Sequence, residues 1–258
     1  MSILETATAV LRLMALRQSE VTMTDLVEHL SMPKSSASRV LKQMAEEGLL
    51  VRNSTTLAYR PSLLLLELAH IVRSSTPLIE MCAQAMDTLG TETGHTGYIS
   101  LLDHNDVVVL RVRPGSQALR AMTNAGRRLP SWATSTGRAL LARESDAQIR
   151  ERFPDGLPVE TPSTAPIGGP ATVSELIRAL DETRRQRYAV ARNEALSGVC
   201  SVGCAVADPA SGECLSFCLT FPSSNLGADD IGHLARRITS HAELIGRSLG
   251  DAFWTTMP

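Results

Sequence analysis

Between Pro33 and Gln43 the chain carries Lys34, Arg39 and Lys42 with no acid among them, interleaved with Ser35, Ser36 and Ser38. Wound as a helix at about 100° per residue, this stretch puts Ala37, Val40, Leu41 and Met44 on one stripe and Ser35, Ser38, Arg39 and Lys42 on the other. The polar stripe has a definite chemistry. A helix fits the major groove of duplex DNA, a guanidinium takes both acceptors of a guanine, and hydroxyl and ammonium groups hold phosphates. Arg39 is the candidate for a base-edge contact; Lys34, Ser35, Ser36 and Lys42 suit phosphates, with Ser38 beside them. Further along, Arg52 and Arg60 can reach the neighbouring backbone or the minor groove. Three charges and a few serines also describe an ordinary solvated helix face, so the surroundings must decide.

A second constellation is Thr134-Ser135-Thr136-Gly137, followed by the apolar run Ala139 to Ala142. Short hydroxyl side chains and free N–H groups gathered at a helix start outline a carboxylate receptor, and they equally describe a simple cap by Ser135 or Thr136. Cys200, Cys204, Cys214 and Cys218 repeat a Cys-x₃-Cys spacing, which on strands returns to the same face. Structural zinc sites use a tighter Cys-x₂-Cys knuckle, so buried thiols are expected here and no metal. The cluster Arg184, Arg185, Arg187 and Arg192 suits the C-terminal end of a helix, where cations complement the dipole. No glycine-rich phosphate loop, Gly-x-Ser-x-Gly elbow or paired catalytic carboxylates are visible, so no catalytic residue and no cofactor are assigned. A rival reading makes Cys200 the nucleophile of a metabolic enzyme whose N-terminal unit serves protein contacts, though no local general base accompanies it.

These residues need elements to hold them. Helical spacing runs from Ile3 to Leu16 and from Thr24 to Leu30, with Thr22 or Thr24 as cap and Asp25 near the dipole. Pro33 suits the first turn of the third helix and Gly48 its end. Leu49 to Asn53 and Leu57 to Arg60 flank the polar link Ser54-Thr55-Thr56, as in a hairpin. Three helices and a hairpin make a winged helix-turn-helix. Helical pattern returns over Ser62 to Leu89, broken at Pro77; two strand pairs follow, His95–Leu102 with Val107–Arg113 and Cys200–Ala207 with Glu213–Phe221. Helices are expected at 135–142, 172–187 and 229–249, and 156–170 reads as a surface loop. The fold class predicted is α+β, with residues 1–61 as the winged unit, 62–76 as a linker helix and 77–258 as the second domain.

The 258 residues are 43% hydrophobic and 20% charged, with a formal net charge of −2. That composition excludes a disordered or fibrous chain and leaves any nucleic-acid contact to the local patch. No apolar run approaches the roughly 20 residues needed to cross a bilayer. Five cysteines, an odd number, and an N-terminus interrupted by Glu5 and Arg12 predict reduced thiols in a cytoplasm.

The order of these features resembles the IclR family of bacterial transcriptional regulators. Gly126-Arg-Arg-Leu-Pro-Ser-Trp-Ala-Thr-Ser-Thr-Gly-Arg-Ala-Leu-Leu-Ala142 is similar to that family's signature, and Tyr188-Ala-Val and Gly198-Val-Cys-Ser to its later elements. The chain departs from the family pattern at Trp132, where His is usual, and at Arg138, where Lys is usual. The resemblance implies a GAF-like effector domain with an antiparallel sheet and flanking helices, a homodimer or dimer of dimers, and a palindromic double-stranded DNA operator. It also implies an effector pocket at Leu129, Ser135, Thr136, Cys200, Cys218 and Thr220, with Ala118 and Ala121 as further candidates. Val190 falls near the place of an acidic residue in carboxylate-binding members, which implies a less polar pocket for a small organic acid, aromatic ones included. A regulator whose second domain only oligomerises is the remaining alternative.

Overall fold

Local signals delimit each helix of the N-terminal unit. The structure, a computed structural model, describes residues 2–17, 19–74, 76–116, 123–158, 168–224 and 227–256. Helix α1 (Ile3–Arg17) is followed by α2 (Met23–Leu30), which opens with a capping box: the Thr22 hydroxyl accepts from Asp25 N, and the Asp25 carboxylate accepts from Thr22 N at 2.7 Å. Burial pushes the Asp25 carboxyl up, but hydrogen bonds from Thr22 and the Arg17 guanidinium outweigh it and hold its pKa below the usual value. Helix α3 (Lys34–Glu46) starts directly after Pro33; Gly48, at φ +77°, turns the chain out of it. Val10, Leu13, Leu26, Leu41 and Met44 form the shared core.

Strands β1 (Leu50–Arg52) and β2 (Tyr59–Pro61) pair antiparallel with Val51 opposite Arg60. Asn53 Oδ1 closes the intervening turn by accepting from the Thr55 and Thr56 amides. Tyr59 also exchanges two backbone hydrogen bonds with Val21, which ties the hairpin to the segment entering α2. Helix α4 (Leu63–Ser74) leaves Leu63, Leu66 and Ile71 exposed. By contacts the chain divides into two units, Met1–Ser75 and Thr76–Pro258, with α4 in the first.

In the second unit, Thr76 caps α5 (Pro77–Thr93) and Pro77 occupies its first turn. Six described strands form one sheet: β3 (Thr96–Asp103), β4 (Asp106–Arg113), β5 (Arg128–Pro130), β6 (Ala189–Arg192), β7 (Val199–Asp208) and β8 (Glu213–Pro222). Their order is β5-β4-β3-β8-β7-β6, every neighbour antiparallel. The helices are α6 (Ser135–Leu141), α7 (Asp146–Arg152), α8 (Val173–Gln186), α9 (Ala228–Leu249) and α10 (Ala252–Thr255). Helices α5 and α9 cover one sheet face, burying Leu78, Met86 and Ile238 against Val202, Phe217 and Leu219. Ala139 and Leu140 of α6 pack on the other face against Val107, Ala189 and Ala205.

This is the α+β architecture expected. The helical pattern read as far as Leu89 continues to Thr93: at Gly90, inside α5, the Arg113 side chain occupies the space a Cβ would need, and Gly94 at φ +69° is the terminator. Strands β5 and β6 and helices α7 and α10, none longer than seven residues, escaped periodicity. Most of the loop expected between 156 and 170 lies outside the described residues.

Candidate DNA-reading face and ligand cavity

Helix α3 buries Ala37, Val40, Leu41 and Met44 and exposes Lys34, Ser35, Ser38, Arg39 and Lys42, with Ser36 half-buried. The two-faced pattern read from the sequence is therefore the pattern in space. Lys42 faces Glu46 at 3.6 Å in a fully hydrated i,i+4 pair, a weak competitor for a phosphate. Neither Lys34 nor Arg39 has an ion-pair partner among the described residues. Arg52 and Arg60 are exposed on the hairpin, with the Arg52 guanidinium 5.8 Å from the centre of the Tyr59 ring.

The cavity lies on the α6 face of the sheet, and strand alternation selects its lining. Tyr98 and Ser100 of β3, Val107 and Val109 of β4, Cys218 and Thr220 of β8, and Val199 and Ser201 of β7 all point into it. Leu129, Thr123 and the run Ala133 to Thr136 close one side; Ala191 and Glu194 to Leu196 close another. The room it offers the centre of a water-sized sphere is about 70 Å³, against roughly 10–15 Å³ for a single water, so the cavity suits a small ligand. Its surface mixes aliphatic carbons with the hydroxyls of Ser100, Ser135, Thr136, Ser201 and Thr220.

Thr134, not Ser135 or Thr136, is the cap of α6, accepting from Gly137 N at 3.0 Å; Ser135 and Thr136 line the cavity instead, with the Ser135 hydroxyl hydrogen-bonded to Cys218. With only seven residues, α6 is too short to supply an anion site through its dipole. The Thr220 hydroxyl donates to Thr96 O at 3.0 Å and Ser216 to Ser100 O at 3.2 Å, which fixes the edges of the β3–β8 ladder.

Of the pocket residues carried over from the resemblance, Leu129, Ser135, Thr136, Cys218 and Thr220 line this cavity, and Ala118 and Ala121 lie outside the described residues. Cys200 is a correction. With Val199 and Ser201 facing the cavity, Cys200 must face the opposite side, and it is fully buried among the residues under α5 and α9. Burial raises its pKa despite the nearby Arg192 guanidinium, so a nucleophilic role has neither access nor a ready thiolate. Cys204 shares that face, whereas Cys214 and Cys218 lie on the α6 face, so the two Cys-x₃-Cys pairs cannot converge on one ion. Among the described residues, no group of three or more His, Cys, Asp or Glu side chains is arranged to hold a metal.

Trp132 packs edge-on against Phe153 at 5.8 Å in a separate cluster with Leu141 and Ile149, not in the cavity wall. One acid does reach the lining: Glu194, four residues past Val190, is the one charged residue among those described in it. Its partner is Arg138, 5% exposed, which reaches both Glu194 oxygens and also donates to the Trp132 and Val190 carbonyls. Tyr98 carried no sequence signal of its own, Ser201 only its place at the end of Gly198-Val-Cys-Ser, and Glu194 none. Strand parity counted from Thr220 and Cys218 finds the first two; only a contact across 56 positions reveals the third.

A winged helix-turn-helix with a cationic third helix, in one chain with an α+β unit that encloses a cavity, defines a DNA-binding transcriptional regulator carrying an effector-binding domain. Residues 4–54 match the IclR helix-turn-helix domain and residues 70–247 the bacterial transcriptional regulator IclR C-terminal domain, so the chain belongs to the IclR family. The HTH-type transcriptional regulator XynR of Escherichia coli is 26% identical over 246 residues, covering 95% of this chain and 96% of the relative. An IclR transcriptional regulator from Alicyclobacillus acidocaldarius has the same fold, with a TM-score of 0.78 at 20% identity over 98% of each chain. So does an IclR homolog from Microbacterium hydrocarbonoxydans complexed with 4-hydroxybenzoate, with a TM-score of 0.77 at 20% identity, covering 97% of this chain and 100% of that one. No helix among the described residues is long and apolar enough to cross a membrane.

Proposed function

We propose that this regulator binds a palindromic operator through Lys34, Ser35, Ser36, Ser38, Arg39 and Lys42 of α3 and Arg52 and Arg60 of the wing, and that a small organic acid in the C-terminal cavity switches its operator affinity. The observation that carries the reading is the cavity itself, with hydroxyls from three strands and from α6 converging on one space. The 4-hydroxybenzoate bound by a protein of the same fold supports a small, aromatic acid as ligand class. An effector switches binding only by its differential affinity for the DNA-competent and incompetent states. The protein acts without catalysis, in the cytoplasm. It associates as a homodimer or dimer of dimers, so that two recognition helices meet half-sites about one helical turn or a multiple of it apart. Apolar side chains left exposed on α1 and α4, among them Leu4, Leu16, Leu63 and Leu66, support self-association.

The test is to recover the promoter fragment retained by the pure protein and then screen carboxylates for its release. Retention that falls steeply with added salt, together with release by an organic acid, is the expected result. Turnover of a metabolite without DNA affinity would overturn the reading.

A further inference from the structure

Glu194 stands between two spaces. It lines the cavity on one side, and on the other it borders an outer polar groove that also touches Arg138, Gly169, Arg178 and Glu182. Arg138 borders only the outer groove. Seen from the cavity, the guanidinium therefore lies behind the carboxylate. Arg138 is buried and Glu194 largely so, at 6% and 13% exposure, and the pairing is two-pronged. Glu194 Oε1 accepts a further hydrogen bond from Arg192 N at 3.2 Å, and the absence of a side chain at Gly169 leaves room for its other oxygen.

We infer that Glu194 is a built-in carboxylate that occupies the Arg138 guanidinium and thereby sets which acids the cavity accepts. A monoacid with an aromatic body meets apolar walls and hydroxyls. A second carboxylate at the Glu194 wall meets a like charge and finds the Arg138 guanidinium already filled, so diacids are refused. A largely buried guanidinium is a two-pronged receptor for any carboxylate that can reach it. Removing Glu194 therefore converts a wall into an anchor. This inference rests on the reading of the cavity as a ligand site.

The experiment uses the full chain and two probes that share one ring, 4-hydroxybenzoate and terephthalate, titrated calorimetrically into wild type, Glu194→Ala and the double variant Arg138→Met/Glu194→Ala. Wild type is expected to favour 4-hydroxybenzoate. Glu194→Ala should gain terephthalate affinity by roughly ten- to a hundredfold, the range that charge-assisted hydrogen bonds to a freed guanidinium provide. The double variant should lose that gain. Glu194→Ala leaves a buried charge without its partner, so thermal melting accompanies each titration; if that protein does not fold, Glu194→Gln carries the test with a smaller shift in the same direction.

A wild type that binds 4-hydroxybenzoate, with terephthalate affinity unmoved in the Glu194 variants, overturns the inference and leaves the cavity reading intact. Terephthalate bound equally well by the double variant overturns it too, because enlargement alone would then explain the gain. A wild type that binds neither acid beside a Glu194→Ala protein that binds terephthalate upholds the assignment of Glu194 and counts against acids as native ligands. Silence from every protein overturns both.

Discussion

Gly137 lies so close to Ser131 that a Cβ on the glycine would overlap the Ser131 carbonyl. This backbone approach lets the single 3₁₀ turn at Ser131–Ala133 fold back over the start of α6, which brings Ala133 through Thr136 to the cavity. Gly137→Ala is expected to cost about 1–3 kcal/mol, the usual range for overpacking against atoms that cannot yield. Chemical denaturation would read the loss, and ligand affinity should fall in parallel because the same turn forms the cavity wall.

Arg39 and Lys34 should fail in different ways. Arg39→Glu is expected to abolish operator binding while leaving the far-ultraviolet dichroism spectrum unchanged, since the residue is exposed on α3. Lys34→Ala should weaken binding evenly across sequences and lower the slope of log K against log salt by about 1. Fluorescence anisotropy at several salt concentrations separates the two outcomes.

Asp251 is 1% exposed and joins three segments: it accepts from the Ala207 amide at 2.8 Å and the Phe253 amide at 3.0 Å, and it pairs with Arg143. Asp251→Ala strands a largely buried guanidinium and removes the cap of α10, for an expected loss of about 3 kcal/mol or more. A melting temperature within a degree or two of wild type would contradict this.

Alkaline pH should unfold the protein earlier than acidity of ordinary thiols alone would suggest. Burial pushes Cys82, Cys204 and Cys218 from 9.0 up to about 12, and Cys214 up to about 11. Because the folded state holds these protons more tightly, their contribution is fully present below pH 9 and is lost as pH rises from there towards 12. Equilibrium stability measured across that window should decline, and Cys204→Ala should flatten the slope. In the same range a thiol reagent should titrate the native protein slowly and all five cysteines only after denaturation.

Much of this molecule was legible in residue patterns. The two stripes of α3 follow from 3.6-residue periodicity, and the wing from β-prone residues around Ser54-Thr55-Thr56. Strand segments of eight or ten residues were found, whereas β5 and β6, with three and four, carry too few alternations to register. Cys200 falls on the other face because it is one residue out of phase with Val199 and Ser201, and a resemblance carried by a motif does not record strand parity. Glu194 went unseen because its role exists only through Arg138, and no local spacing records a partner so distant in the chain.

The sheet assigns neighbouring side chains to different tasks. Along β8, Phe217, Leu219 and Phe221 hold the fold together under α5 and α9, while Cys218 and Thr220 face the cavity between them. Recognition can therefore drift through replacements at alternate positions while the hydrophobic interior stays as it is. A lineage built on this framework is free to exchange chemical signals without relearning how to fold.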